Sequence, residues 1–97
     1  MSISQETENV LRVDVEIVNK RGLHARAASR FVKLASEFSC QVKVIKEGLE
    51  VNGKSIMGLL MLIAEVGSKV TIECRGQDAQ EALNGLGDLV RSGFSEE

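Results

Sequence analysis

The sequence predicts an α+β fold, an open-faced β-sandwich whose helices cover one side of a sheet. Three observations predict it. Residues 11–17, 40–46 and 69–75 alternate apolar and polar side chains with a period of two, as strands with one buried face do. Two other stretches repeat apolar residues at three- and four-residue steps, as amphipathic helices do. With a short strand and a short uncharged helix between them, the elements run β-α-β-β-α-β-α. Strands with one polar face call for helices on the other face only. A ferredoxin-like split βαβ domain with an added helix fits this order nearly as well.

The elements follow in turn. Leu11, Val13, Val15 and Ile17 alternate with Arg12, Asp14 and Glu16 to give the first strand. Asn19-Lys20-Arg21-Gly22 breaks the pattern. Ala27, Ala28, Phe31, Leu34, Ala35 and Phe38 then mark a helix over residues 24–37, with Arg26, Arg30 and Lys33 on its other face. Residues 40–46 form a second strand and residues 49–52 a short third, joined through Glu47-Gly48 in a hairpin. Residues 55–64 carry no charge and open on a serine of N-cap type; their leucines and methionines favour helix over strand. This helix offers two apolar stripes, Leu59-Leu62-Ile63-Val66 and Met57-Leu60-Met61-Ala64, of which one suffices to face the sheet. Residues 69–75 give a fourth strand. Asp78 and Glu81 form a capping-box-like start for a last helix lined by Ala79, Ala82, Leu83, Leu86 and Val90. Gly85 and Gly87 weaken its intrinsic propensity, so packing holds it.

Ninety-seven residues, 43% of them hydrophobic, make one domain over 1–97 with a flexible extension at 1–9 and an acidic tail at 94–97. Fourteen acidic against twelve basic residues give a net charge of -2, and three Phe with no Tyr or Trp leave no stacking platform, so nucleic acid is not an expected partner. The start of the chain lacks the basic and apolar segments of a signal peptide, and no apolar run reaches the roughly 18 residues of a membrane span. A cytoplasmic monomer with no membrane insertion is expected. Cys40 and Cys74 each continue an apolar alternation and read as small core residues.

The chemistry is concentrated in two stretches. Gly22-Leu23-His24-Ala25-Arg26 places the single histidine where a glycine turn meets the first turn of a helix, whose unpaired N–H groups and positive dipole end attract anions. That setting favours a neutral, nucleophilic imidazole. A lone histidine without a second His, a Cys or clustered carboxylates makes no metal site, and no cofactor is implied. By itself such a histidine is more often a packing residue than a reactive one; its glycine, arginine and helix start argue for phosphoryl handling. In Lys54-Ser55-Ile56-Met57-Gly58-Leu59, the serine precedes an apolar helix with a methionine-bearing stripe suited to docking partners.

Together these stretches resemble the HPr family, the histidine-containing phosphocarriers of the phosphoenolpyruvate-dependent phosphotransferase system. The first looks like the family's phosphorylation-site signature and the second like its regulatory-serine signature, at the usual separation, and the resemblance runs from Leu11 to Phe94. It implies a four-stranded antiparallel sheet with three helices on one face. It also implies that His24 takes a phosphoryl group on Nδ1 from enzyme I and gives it to EIIA-type domains, a carrier in a relay and not a self-contained enzyme. Arg26 and the backbone N–H groups of Ala25 and Arg26 would hold the phosphate. Ser55 would be the target of an HPr kinase/phosphorylase, and Arg30, Ile56, Met57, Leu60 and Met61 would dock partners. Ala27 stands where the family commonly has proline, leaving the first helical turn freer. Gly58 and Leu60 replace residues that are often polar in sugar-system members, which keeps a nitrogen-regulatory branch open beside sugar transport. The reading from another class is a ferredoxin-like regulatory binding module in which His24 only packs.

Overall fold

The computed structural model describes residues 9–96. Its elements are β1 (Val10–Glu16), α1 (Ala25–Ala35), β2 (Gln41–Lys46), β3 (Leu49–Asn52), α2 (Ile56–Leu60), β4 (Lys69–Arg75) and α3 (Ala79–Arg91). The strands form one sheet in the order β1-β4-β2-β3, every pair antiparallel. This is the open-faced sandwich with four strands and three helices.

Register explains the core. Leu11, Val13 and Val15 lie opposite Cys74, Ile72 and Val70, while Val42 and Val44 lie opposite the same Cys74 and Ile72 from the other side. One sheet face therefore presents a continuous apolar layer. α3 packs on β1 and β4 through Ala82, Leu83, Leu86 and Val90, and α1 packs against α3 and α2 through Ala27, Ala28, Phe31 and Ala35. Between β2 and β3, Glu47 and Gly48 both take left-handed backbone, with φ of 51° and 85°. A two-residue turn of that hand follows the twist of the strands it joins. The opposite face of the sheet is polar. There Glu73 is buried beneath Arg12, whose Nε lies 2.7 Å from its carboxylate, and Lys43, at 3.9 Å.

The structure departs from the sequence expectations at four places. α1 ends at Ala35, two residues before the expected Glu37, with Ser36 as its C-cap. Asp78 makes no side-chain cap to α3; its carboxylate instead accepts from the Ser39 and Cys40 N–H groups at 2.8 and 2.9 Å. Its carboxylate is taken up by these two turn donors, and their bonds, led by that of Ser39, lower its pKa. α2 is only five residues long, so a helical wheel drawn to Val66 assigns faces wrongly. Leu59, Leu62 and Ala64 are buried, whereas Ile63 and Val66 are exposed. Beyond Leu60 the chain tightens through bonds from Leu62 N–H to Leu59 O and from Ile63 N–H to Leu60 O, then turns left-handed at Ile63, φ 49°. Finally, the expected acidic tail begins with Phe94, which is wholly buried. The expected flexible extension lies outside the described residues except for Asn9, whose carbonyl accepts from Gly76 N–H at 2.9 Å.

Candidate functional site

The glycine turn is held from below by the loop that follows α2. Gly22 has φ 67°, and a Cβ there would stand 2.6 Å from the Ala64 carbonyl oxygen. Only glycine supplies that backbone and that closeness together. The next N–H, of buried Leu23, donates to the same oxygen at 2.9 Å. His24 is thereby delivered to the N-cap of α1 with extended backbone. The first intrahelical bond runs from Ala28 N–H to His24 O, so the N–H groups of Ala25, Arg26 and Ala27 precede the helix ladder. That of Arg26 donates to His24 Nδ1 at 3.2 Å.

The other ring nitrogen meets a residue from the far end of the chain. His24 Nε2 pairs with the carboxylate of Glu96, and Asn19 Nδ2 reaches both Glu96 Oε1 at 2.9 Å and the Gly22 carbonyl at 2.8 Å. One buried amide thus ties the glycine turn to the tail. Asn19's bond, then His24's, holds the Glu96 carboxyl below the ordinary carboxylate range. With Nδ1 accepting and a carboxylate facing Nε2, the neutral ring carries its proton on Nε2 and leaves its lone pair on Nδ1. The tail gets there through three consecutive left-handed residues, Gly93, Phe94 and Ser95, and Arg30 Nη1 donates to the Phe94 carbonyl at 2.7 Å. Arg30 is half-buried, anchoring this segment, while Arg26 is exposed beside the histidine.

Ser55 caps α2: its hydroxyl accepts from Gly58 N–H at 3.0 Å. Ile56, Met57 and Met61 are exposed and Leu60 half-buried. A groove of about 430 Å³ brings the two stretches together, lined by His24, Arg21, Leu60, Ile63 and Val66 among others. Ile56, Met57 and Met61 lie outside it. A second groove, about 460 Å³, follows β2 and β3 and shares no lining residue with the first. Its lysines are engaged, Lys54 with the Phe38 carbonyl at 2.6 Å and Lys43 with Glu50 at 3.4 Å. Sequence reasoning did not reach Asn19 or Glu96. The only signal for them is a lone histidine in a chain that ends acidic.

Comparison with known proteins agrees with this geometry. The family described as "PTS HPr component phosphorylation site" matches residues 11–92. The phosphocarrier protein HPr of Neisseria meningitidis is 47% identical over 90% of this chain and 98% of its own length. The phosphocarrier protein NPr of Shewanella violacea is 41% identical over 89% and 94%. An HPr structure from Thermoanaerobacter tengcongensis superposes with a TM-score of 0.86 at 47% identity, covering 90% of this chain and 98% of that one. Another HPr structure from that organism, described as a dimer, gives 0.72 at 42% identity over 97% and 100%. The family match runs from β1 to the end of α3, and phosphocarrier relatives 41–47% identical cover about nine-tenths of the chain, so the chain belongs to that family: it is a member of the HPr family of phosphocarrier proteins.

Proposed function

We propose that His24 accepts a phosphoryl group on Nδ1 from enzyme I of the phosphotransferase system and passes it to EIIA-type domains. The observation that carries this reading is the division of the His24 ring, Nδ1 facing the head of α1 and Nε2 tied to Glu96. In the first step the Nδ1 lone pair attacks phosphorus, the donor's bond to phosphorus breaks, and a new N–P bond forms. The proton stays on Nε2, so the ring gains positive character that the Glu96 carboxylate offsets. The Arg26 N–H that now touches Nδ1 turns to a phosphoryl oxygen, joined by Ala25 N–H and the Arg26 guanidinium. The Glu96 carboxylate beside His24 is engaged by Nε2 and by the Asn19 amide, which suits a carrier whose bond must survive until the second step reverses the first on an acceptor.

Arg30, Ile56, Met57, Leu60 and Met61 form the docking surface around this centre, and Ser55 is the regulatory phosphorylation site, taken by a kinase/phosphorylase of the HPr type. The free, buried thiols of Cys40 and Cys74 fit a reducing compartment, and we place the relay in the cytoplasm with the carrier acting as a monomer. No helix among the described residues is long and apolar enough to cross a membrane.

Incubation with phosphoenolpyruvate and enzyme I tests the reading. One acid-labile, base-stable phosphate per chain is expected, absent from His24→Ala; a folded wild-type chain that takes up none overturns it. Onward transfer to sugar-uptake or to nitrogen-regulatory EIIA domains, compared side by side, identifies the branch.

A further inference from the structure

We propose that Ile63 is a specificity-determining contact through which this carrier selects its phosphoryl donor and acceptor proteins, an inference that rests on the phosphocarrier reading of His24. Ile63 is β-branched, yet its φ is 49°, in a region that such residues rarely adopt. Its side chain is 71% exposed, so little packing offsets the strain. The turn itself is required, because Leu62 and Ala64 on either side are buried and the Ala64 carbonyl must meet Leu23 N–H. The isoleucine is not required for it, since glycine or asparagine takes this backbone readily. Both the backbone and the surrounding water therefore disfavour the side chain that stands here, and strain of that kind persists where a residue serves a function.

Its location supplies the function. Ile63 lines the same groove as His24, with Leu60 and Val66 as apolar neighbours, and its lining carries two cations, Lys20 and Arg21, against one carboxylate, Glu65. A phosphoryl group passes directly only between reacting atoms held in contact. Any donor or acceptor must therefore cover the rim of this groove, and Ile63 is removed from water in each transfer complex. The occupant is a protein surface with an apolar socket beside its reactive group and an acidic fringe facing Lys20, Arg21 and Arg26.

Ile63→Gly and Ile63→Leu test this in the full chain. For I63G, Tm is expected to rise by about 4 °C as the strain goes. Its KM with enzyme I should rise about tenfold, the equivalent of ~1.4 kcal/mol, with kcat at saturation and phosphorylation by the small donor phosphoramidate unchanged. I63L, which restores an apolar side chain, should keep the wild-type KM. An unchanged KM for I63G overturns the inference, as does a fall in its Tm, which would make the side chain structural. Self-association of the wild type that I63G abolishes, without a change in transfer, overturns it too, by giving the knob to a second copy. A wild type that accepts phosphate from phosphoramidate but not from enzyme I defeats the phosphocarrier reading itself; an effect missing only from I63G defeats this inference alone.

Discussion

Glu96 shows how much of the setting of His24 is fixed by residues far from it in the chain. Its carboxyl is held below the ordinary 4.5, first by the Asn19 amide and then by His24. A depressed carboxyl stabilises the fold above its unfolded pKa and loses that contribution as pH falls through the folded value. The Glu96 contacts to Asn19 and His24 should therefore stay formed from neutral pH down through pH 5 and weaken only as pH falls below 4.5, with Phe94 still seated in the core. Carbon-detected NMR of the Glu96 carboxyl should show a midpoint under 4.5, moved upward by Asn19→Ala because the largest cause is gone. Glu96→Gln should slow phosphoryl acceptance by roughly tenfold while leaving the affinity for enzyme I in place, since it frees the imidazole tautomer without touching the rim. The placement of His24 and Arg26 at the head of α1 was legible in the sequence because a glycine turn before a helix is a local arrangement. Glu96 was not, because its partner is 72 positions away and no periodicity links them.

At the scale of elements, α2 shows where pattern reading runs out. Ser55 as N-cap was legible from residue type, and the hydroxyl bond to Gly58 N–H matches it. The length of the helix was not, because Leu62 and Ala64 are buried beyond its end, where the Ala64 carbonyl accepts from Leu23 N–H beneath the glycine turn. Asp78 teaches the same lesson, since a carboxylate before a helix caps it only when no nearer donors compete. Replacing the cap separates structure from regulation. Ser55→Ala should lower Tm by about 5 °C, the effect of ~1 kcal/mol in a domain of this size. Ser55→Asp retains a capping oxygen and puts negative charge at a helix N-terminus, so Tm should stay close to wild type while phosphoryl transfer from enzyme I slows. Thermal melts and transfer kinetics on the same samples check both.

For the molecule as a whole, the strands and the one-sided sheet were legible from alternation and the helices from three- and four-residue periodicity and capping, whereas the closure of the chain end onto α1 was not. Phe94 belongs to the core as firmly as any strand residue, and Arg30 holds its carbonyl. Phe94→Ala should cost about 3–5 kcal/mol, lowering Tm steeply in a chemical or thermal melt, and it should slow transfer as well, because Glu96 loses its anchor. The sheet order has a separate consequence for how the protein comes into being. β4 lies between β1 and β2 and joins them, yet it is the sixth of seven elements to be made. Until residue 75 has left the ribosome, β1 has no partner and the apolar faces of the first half have nothing to close on. Loop closure across some sixty residues, from Val15 with Val70 to Val10 with Arg75, must then happen nearly at once. Birth of this domain is therefore a late, single event, and its dangerous interval is the time between the synthesis of β1 and the arrival of β4.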